Sequence, residues 1–284
     1  MKTCDLHTHS TASDGSDTPS ELIHLAKEAD LAAIALSDHD TVDGLVEAER
    51  EARSIGMEFI PAVELSCQFH KGNMHLLGYY IDMKDQEFLK VLARVQAARA
   101  ERNPKILAKL QELGISITME ELKEMASGGQ IGRPHIARAL VKKGAVRDVG
   151  QAFEKYLKRG GKAYAPKSIL SPAEAISAVL KAGGIPVLAH PFSLKADTTE
   201  ELQSIIIDLK SKGLQGVECI YSEHSPEFTQ QLIQITRALD LAVTGGSDYH
   251  GKAKPYIKLG RGKGSLTIPY SCVEELKAIR DERS

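Results

Sequence analysis

Neither sign of charge is in excess: 36 lysines and arginines stand against 38 aspartates and glutamates, a net of −2 over 284 residues. That balance excludes a protein that coats long nucleic acid by charge alone. No apolar run approaches the roughly 18 residues of a membrane span. Residues 1–5 contain no apolar stretch, so no secretory leader is expected and the chain is expected in the cytoplasm, with no membrane partner. The four cysteines, Cys4, Cys67, Cys219 and Cys272, lie far apart with no CxxC pair. They are expected to be reduced, mostly buried thiols rather than a disulfide framework. There is no G-x-S-x-G elbow and no C-x5-R loop, so nothing announces a nucleophilic serine or cysteine. Tryptophan is absent and aromatics are 5%, yet there are 10 histidines. Where those histidines fall becomes the question.

Hydrophobic residues at 42% and charged residues at 26% are ordinary for a folded globular chain and exclude disorder. The length suits two domains or one large barrel. Residues 2–9, 31–37, 57–65 and 73–81 carry strand signals, and amphipathic patterns over 18–29 and 41–55 predict helices between them. Thr18-Pro19-Ser20-Glu21 is a capping box with proline in the first turn. The unbroken run at 31–37 suits a strand buried on both faces. This alternation predicts a parallel α/β sheet or barrel.

From about residue 85 to 162 the strand signal disappears. Helices are expected over 88–113 (kinked or split at Pro104), 118–125, 133–143 and 146–158, with a turn at Gly128-Gly129. Alternation then resumes. Helices are expected over 171–182, 199–212, 225–239 and 271–282, with strands over 185–189, 214–220 and 241–245. The chain therefore divides into a first barrel part at 1–85, a small helical insertion at 86–163 and a second barrel part at 164–284.

Mapped onto this pattern, the polar residues concentrate at strand ends. The first strand ends in Asp5-Leu6-His7-Thr8-His9, and i, i+2 histidines in extended chain project to one side. Asp14 follows in a turn, His39 lies just past the second strand, Glu64 ends the third and His75 is carried by the fourth. His190, Asp248 and His250 lie just past later strands. The carboxyl rim of an α/β barrel is where active sites are built. A single histidine after an apolar strand is more often a buried or rim residue than a ligand, and an aspartate before glycine is ordinary turn composition. The coincidence in separate segments decides for a metal site. Imidazole mixed with carboxylate, without a usable cysteine, favours Mn²⁺, Fe²⁺ or Zn²⁺ over Ca²⁺ or Mg²⁺. Nine ligands are too many for one ion and suffice for two or three, with Glu64 bridging.

The segments D-L-H-T-H-S-x-x-S-D-G, S-D-H-D-T, E-L-S, H-L-L-G-Y, A-H-P and G-S-D-x-H together resemble the PHP (polymerase and histidinol phosphatase) family over nearly the full chain. Their order, with the insertion, is most similar to stand-alone bacterial phosphoesterases acting on nucleoside 3′,5′-bisphosphates and short 5′-phosphorylated RNA. The resemblance implies a distorted (β/α)7 barrel with three metals per chain, Mn²⁺ first and Fe²⁺ or Zn²⁺ as alternatives. Carried over by position, it places His7, His9, Glu64 and Asp248 on one metal. It places Asp14, His39 and His250 on a second, and His75 and His190, with bridging Glu64, on a third. Clustered dications lower the pKa of bound water, so a metal-bridging hydroxide is expected to attack phosphorus without a covalent intermediate.

In the insertion, Arg99, Arg102 with Asn103, and Arg133 with His135 are substrate candidates, and Lys167 lies just after it. Arginine suits bidentate phosphate recognition, and the Gly132-Arg133-Pro134-His135 segment opens a helix. The resemblance implies contacts from these residues to substrate phosphate or nucleoside. His24, His70 and His224 are expected to be structural or solvent-facing, and Asp38 or Asp40 to orient an imidazole. The expected activity is removal of the 3′-phosphate from a nucleoside 3′,5′-bisphosphate, with 5′→3′ trimming of short RNA as an extension. The alternatives are a phosphatase of a metabolite such as histidinol phosphate, and a non-catalytic or proofreading accessory module. A monomer is slightly favoured.

Overall fold

Short apolar runs alternating with amphipathic helices build the two halves of a barrel. The computed structural model describes residues 2–126, 129–166 and 170–283. Its strands are β1 (Cys4–Asp5), β2 (Ala33–Leu36), β3 (Glu58–Cys67), β4 (Met74–Tyr79), β5 (Ile185–Leu188), β6 (Gly216–Tyr221) and β7 (Ala242–Gly246). They form one seven-stranded sheet in chain order. Pairing continues past the first and last strands. The Leu6 N–H donates to Gly245 O at 3.2 Å, the Asp248 N–H to His7 O at 2.9 Å and the His9 N–H to Tyr249 O at 2.9 Å. The two ends of the sheet thus meet, and the barrel is nearly closed.

Helices α1 (Pro19–Glu28), α2 (Leu45–Ile55), α7 (Pro172–Lys181), α8 (Thr199–Ser211), α9 (Pro226–Ala238) and α10 (Ser271–Asp281) accompany the strands. The expected capping boxes are formed: Thr18 and Glu21 close α1, and Ser171 and Glu174 close α7. Alternation along the strands sorts two apolar layers. Ala33, Ala35, Ile60, Ala62, Leu77, Tyr79, Ile185 and Val187 pack together with Cys272, Val273 and Leu276 of α10. Ile34, Leu36, Val63, Leu65, Leu76, Leu188 and Val217 face the surrounding helices instead. β2 is buried throughout, as its unbroken apolar run requires.

Three expectations are corrected. The sheet is not all parallel: β4 runs antiparallel to both β3 and β5. Residues 68–73 join β3 to β4 as a hairpin, with no crossover helix to reverse the chain. The first strand spans only two residues, because the chain leaves the sheet at His7 to line the rim. Pro104 does not split the long helix; α3 runs unbroken over Gln86–Glu112. The proline costs one backbone hydrogen bond, and packing by buried Asn103, Ile106, Leu107 and Leu110 outweighs it.

Between the barrel halves lie α3, α4 (Met119–Ala126), α5 (Arg133–Lys142) and α6 (Val149–Ala152), the last continuing as a π-helical turn over Phe153–Leu157. The amino-terminal part of α3 packs Phe88, Leu92 and Val95 into the barrel's outer layer. Its carboxyl-terminal part joins Leu122, Ile136, Leu140, Leu157 and Ala163 in a separate apolar cluster. One helix therefore ties the helical segment to the barrel over its rim. No helix among the described residues is long and apolar enough to cross a membrane. The expected turn at Gly128 and the candidate Lys167 lie outside the described residues.

Candidate metal centre

β1 delivers His7 and His9 to the rim because Asp5 pins the chain where the strand ends. Asp5 is buried and accepts from the Ser247 N–H at 2.9 Å and the Gly260 N–H at 2.7 Å. Gly246 is needed beside it: a Cβ there would stand 2.1 Å from the Cβ of His7. His190, Asp248 and Asp40 all adopt positive φ (27°, 59° and 54°), as residues do where a site over-determines the backbone. His75 reaches the same rim from the amino-terminal end of β4, since that strand runs against its neighbours.

All nine candidate ligands converge. Glu64 stands at the centre with its two oxygens divided. Oε1 lies 2.6 Å from His75 Nδ1 and 2.9 Å from His190 Nε2, while Oε2 lies 2.9 Å from His39 Nδ1 and 3.3 Å from both His7 Nε2 and His9 Nε2. His250 Nε2 is 3.3 Å from Asp14 Oδ1, and His9 Nε2 is 3.3 Å from Asp248 Oδ1.

Four overlapping sets have ligand atoms within 4.8 Å of one another: His9, Asp14, His39 and His250; His7, Glu64 and His190; His7, His9 and Asp248; His39, Glu64 and His75. These sets cut across the division implied by resemblance, grouping His190 with His7 and His75 with His39.

The donor atoms fit cations. His7 Nε2, both ring nitrogens of His9, His39 Nδ1 and Glu64 Oε2 are buried with no hydrogen-bond partner. Buried polar atoms are nearly always hydrogen-bonded, so five such orphans gathered at one rim mark a place for metal. Several rings are also held in the tautomer a ligand needs. His7 Nδ1–H donates to Glu218 at 2.9 Å, His190 Nδ1–H to Ser193 Oγ at 2.9 Å and His250 Nδ1–H to the Asp248 carbonyl at 2.8 Å. Each leaves Nε2 turned toward the facing carboxylates Glu64, Asp14 and Asp248.

With protons as the only cations, the imidazoles divide. Burial pushes His75 and His250 down to about 4. Burial also acts on His7 and His9, but facing carboxylates outweigh it. Glu218 and Glu64 hold His7 well above its ordinary value, and Asp248 and Glu64 raise His9 to about 9. Burial would raise the carboxyls of Glu64, Asp14 and Asp248, but facing charges outweigh it and hold them well below the usual range: His39 and His75 at Glu64, His250 and His39 at Asp14, and Lys254 with His250 at Asp248.

A cavity of about 770 Å³ opens over the centre. Asp14, His39 and His75 line it on the ligand side, and Arg99, Arg102, Arg133, Phe153 and Tyr164 on the side of the helical segment. The arginines differ in what holds them. Arg99 is ion-paired to buried Asp40. Arg133 donates to Leu157 O at 3.1 Å and lies over the Phe153 ring. Arg102 is buried, its Nε has no partner, and it makes no ion pair among the described residues. Burial and the neighbouring guanidiniums of Arg133 and Arg99 pull it down to about 9. Two other candidates turn away from this cavity. Asn103 lines a neighbouring cleft and donates to Ile131 O at 3.0 Å, and His135 Nδ1 accepts the Gly132 N–H at 3.0 Å.

Three contributors were not singled out from the sequence. Glu218 was legible as a lone acid inside the apolar β6 segment Val217–Ile220. Tyr221 and Lys254, which both contact Asp248, carry no such signal. Asp38 anchors Ser10 and Ser13, and Asp40 holds Arg99 and Ser66. His24 pairs with Glu51 on the surface and His224 donates to Cys219 O at 2.9 Å.

The family model of the PHP domain matches residues 5–165. A protein of Haemophilus influenzae named 5′-3′ exoribonuclease is 35% identical over 260 residues, covering 92% of this chain and 94% of its own. A 3′,5′-nucleoside bisphosphate phosphatase of Chromobacterium violaceum is 33% identical over 279 residues, covering 98% of each. A solved structure from Bifidobacterium adolescentis, described as a metal-dependent phosphoesterase, superposes with a TM-score of 0.86 at 31% identity, over 98% of this chain and 96% of that one.

Proposed function

Because the chain belongs to the PHP family and is a metal-dependent phosphoesterase, we propose that it removes the 3′-phosphate from nucleoside 3′,5′-bisphosphates and trims short 5′-phosphorylated RNA. One observation carries this choice: Arg102, buried and without an ion pair among the described residues, lines the same cavity as the metal ligands Asp14, His39 and His75, with the guanidiniums of Arg99 and Arg133 near it. A buried guanidinium without an anion is costly, and a substrate carrying a second phosphate supplies the missing partner. The relatives named for bisphosphate and RNA hydrolysis point the same way.

His7, His9, Asp14, His39, Glu64, His75, His190, Asp248 and His250 would hold three divalent metals, Mn²⁺ before Fe²⁺ or Zn²⁺. When bound, the metals supply an activated water and neutralise charge on the phosphoryl oxygens. The chain's own residues do the rest. Glu218, Ser193 and the Asp248 carbonyl keep imidazole protons on the outer nitrogens of His7, His190 and His250. Arg102 and Arg133 bind the distal phosphate and set the ester against the centre, and Phe153 and Tyr164 bound the space left for the nucleoside. The nine proposed ligands of one chain would suffice for the centre, in keeping with a monomer as the working unit. The four buried free thiols suit a reducing compartment, the cytoplasm.

The test is steady-state hydrolysis by Mn²⁺-loaded protein. The substrates are 3′-phosphoadenosine 5′-phosphate, AMP, histidinol phosphate and a 5′-phosphorylated dinucleotide. The bisphosphate is expected to show the highest kcat/KM, and a higher value for histidinol phosphate would overturn the proposal.

A further inference from the structure

Asp248 presents its two oxygens to different surroundings. Oδ1 faces the ligand cluster, 3.3 Å from His9 Nε2, 3.4 Å from His250 Nδ1 and 3.8 Å from His7 Nε2. Oδ2 faces away and is held twice: the Tyr221 hydroxyl donates to it at 2.7 Å and Lys254 Nζ at 2.6 Å. Tyr221 comes from the end of β6 and is buried. Lys254 follows the short turn after His250, and its backbone N–H donates to Gly251 O at 3.1 Å. The ammonium is thus delivered to Asp248 from the segment that also carries two of the ligands. Glu64 is the contrast, since both of its oxygens point at histidines.

We propose that Lys254 and Tyr221 are positioning residues that hold Asp248 as a one-oxygen metal ligand and reserve carboxylate bridging for Glu64. An ammonium on Oδ2 repels any second cation from that oxygen. The phenol fixes the plane of the carboxylate, so that Oδ1 alone turns inward. With the ammonium replaced by an uncharged side chain, Oδ2 loses one of its two donors and would be free to turn toward a metal, adding a second oxygen ligand. This inference rests on the metal reading of the site and assigns a role to two residues outside the ligand set.

The experiment titrates Co²⁺ into metal-free protein and follows the visible absorption band, which reports coordination number. Parent, Lys254→Met, Lys254→Arg and Tyr221→Phe are compared, with kcat and KM measured after Mn²⁺ loading. In Lys254→Met the band should shift and weaken, and kcat should fall about tenfold with KM within about twofold of the parent. Lys254→Arg should recover most of both. Tyr221→Phe removes only a hydroxyl, should move both readouts in the same direction, and keeps the test open if Lys254→Met does not fold. A parent-like band in Lys254→Met and Tyr221→Phe would overturn the inference and leave the metal reading intact. A raised KM with an unshifted band would overturn it too, since it would make Lys254 a substrate contact. Parent protein that develops no Co²⁺ band would overturn the metal reading and this inference together.

Discussion

Glu218 holds His7 from behind: its Oε1 accepts His7 Nδ1–H at 2.9 Å, while its Oε2 accepts the His190 backbone N–H at 2.7 Å. One carboxylate on β6 thus aims the ligand nitrogen of His7 and fixes the segment that carries His190. Glu218→Gln keeps the size but offers a neutral amide in place of the carboxylate. We expect Mn²⁺ affinity, measured calorimetrically, to fall by about 10–100-fold. The fold, followed by circular dichroism, should be retained.

Arg99 and Arg102 should respond differently to substitution although both line the cavity. Arg99→Met leaves Asp40 buried with Ser66 donors at 2.8 and 3.1 Å but without its guanidinium. Breaking a buried pair costs about 3 kcal/mol, so the melting temperature should drop by roughly 10 °C. Arg102→Met removes a buried cation that makes no ion pair among the described residues, so the melting temperature should hold or rise. Its effect should appear as a KM about tenfold higher for a 3′,5′-bisphosphate, with no such rise for the 3′-monophosphate.

The metal-free protein should be most stable near pH 6.5, by the following signs. His9, raised to about 9 in the fold, contributes stability that is fully present below the unfolded value of 6.5 and lost as pH rises through 9. His75 and His250, lowered to about 4, resist protonation, so stability falls as pH drops below 6.5. Bound metal needs all three rings neutral. Thermal melts from pH 5 to 9.5 should therefore peak near pH 6.5 with chelator, and the Mn²⁺-loaded protein should gain stability as pH rises over the same range.

The ligand set was legible because all of its residues but Asp14, which lies in a turn, sit on, at or just past a strand, and strand ends follow from apolar runs and caps. His7 and His9 were visible as an i, i+2 pair, and Glu64 as the polar end of an apolar strand. The reversal of β4 was not legible. Met74–Tyr79 reads the same in either direction, and only the short hairpin of residues 68–73 forces the antiparallel path. Pro104 misled because its cost is local, whereas the packing that overrides it comes from residues distant in sequence. The arginines were found from composition, but the sequence did not tell ion-paired Arg99 from unpaired Arg102. That difference depends on Asp40, 59 residues away. Lys254 was missed for the same kind of reason, since nothing local marks a lysine that folds back onto Asp248.

Phosphate release from 3′-phosphoadenosine 5′-phosphate by stripped protein, as Mn²⁺ is added back in counted equivalents, tests the metal centre most directly. Stripped protein should be inactive. Activity should rise as Mn²⁺ is added and reach a plateau at three equivalents per chain. Glu64→Gln, which removes the carboxylate shared by His7, His9, His39, His75 and His190, should lose at least about 1000-fold in kcat. Stripped protein that turns over as fast as reloaded protein, or a Glu64→Gln variant with parental activity, would contradict a metal centre at this rim.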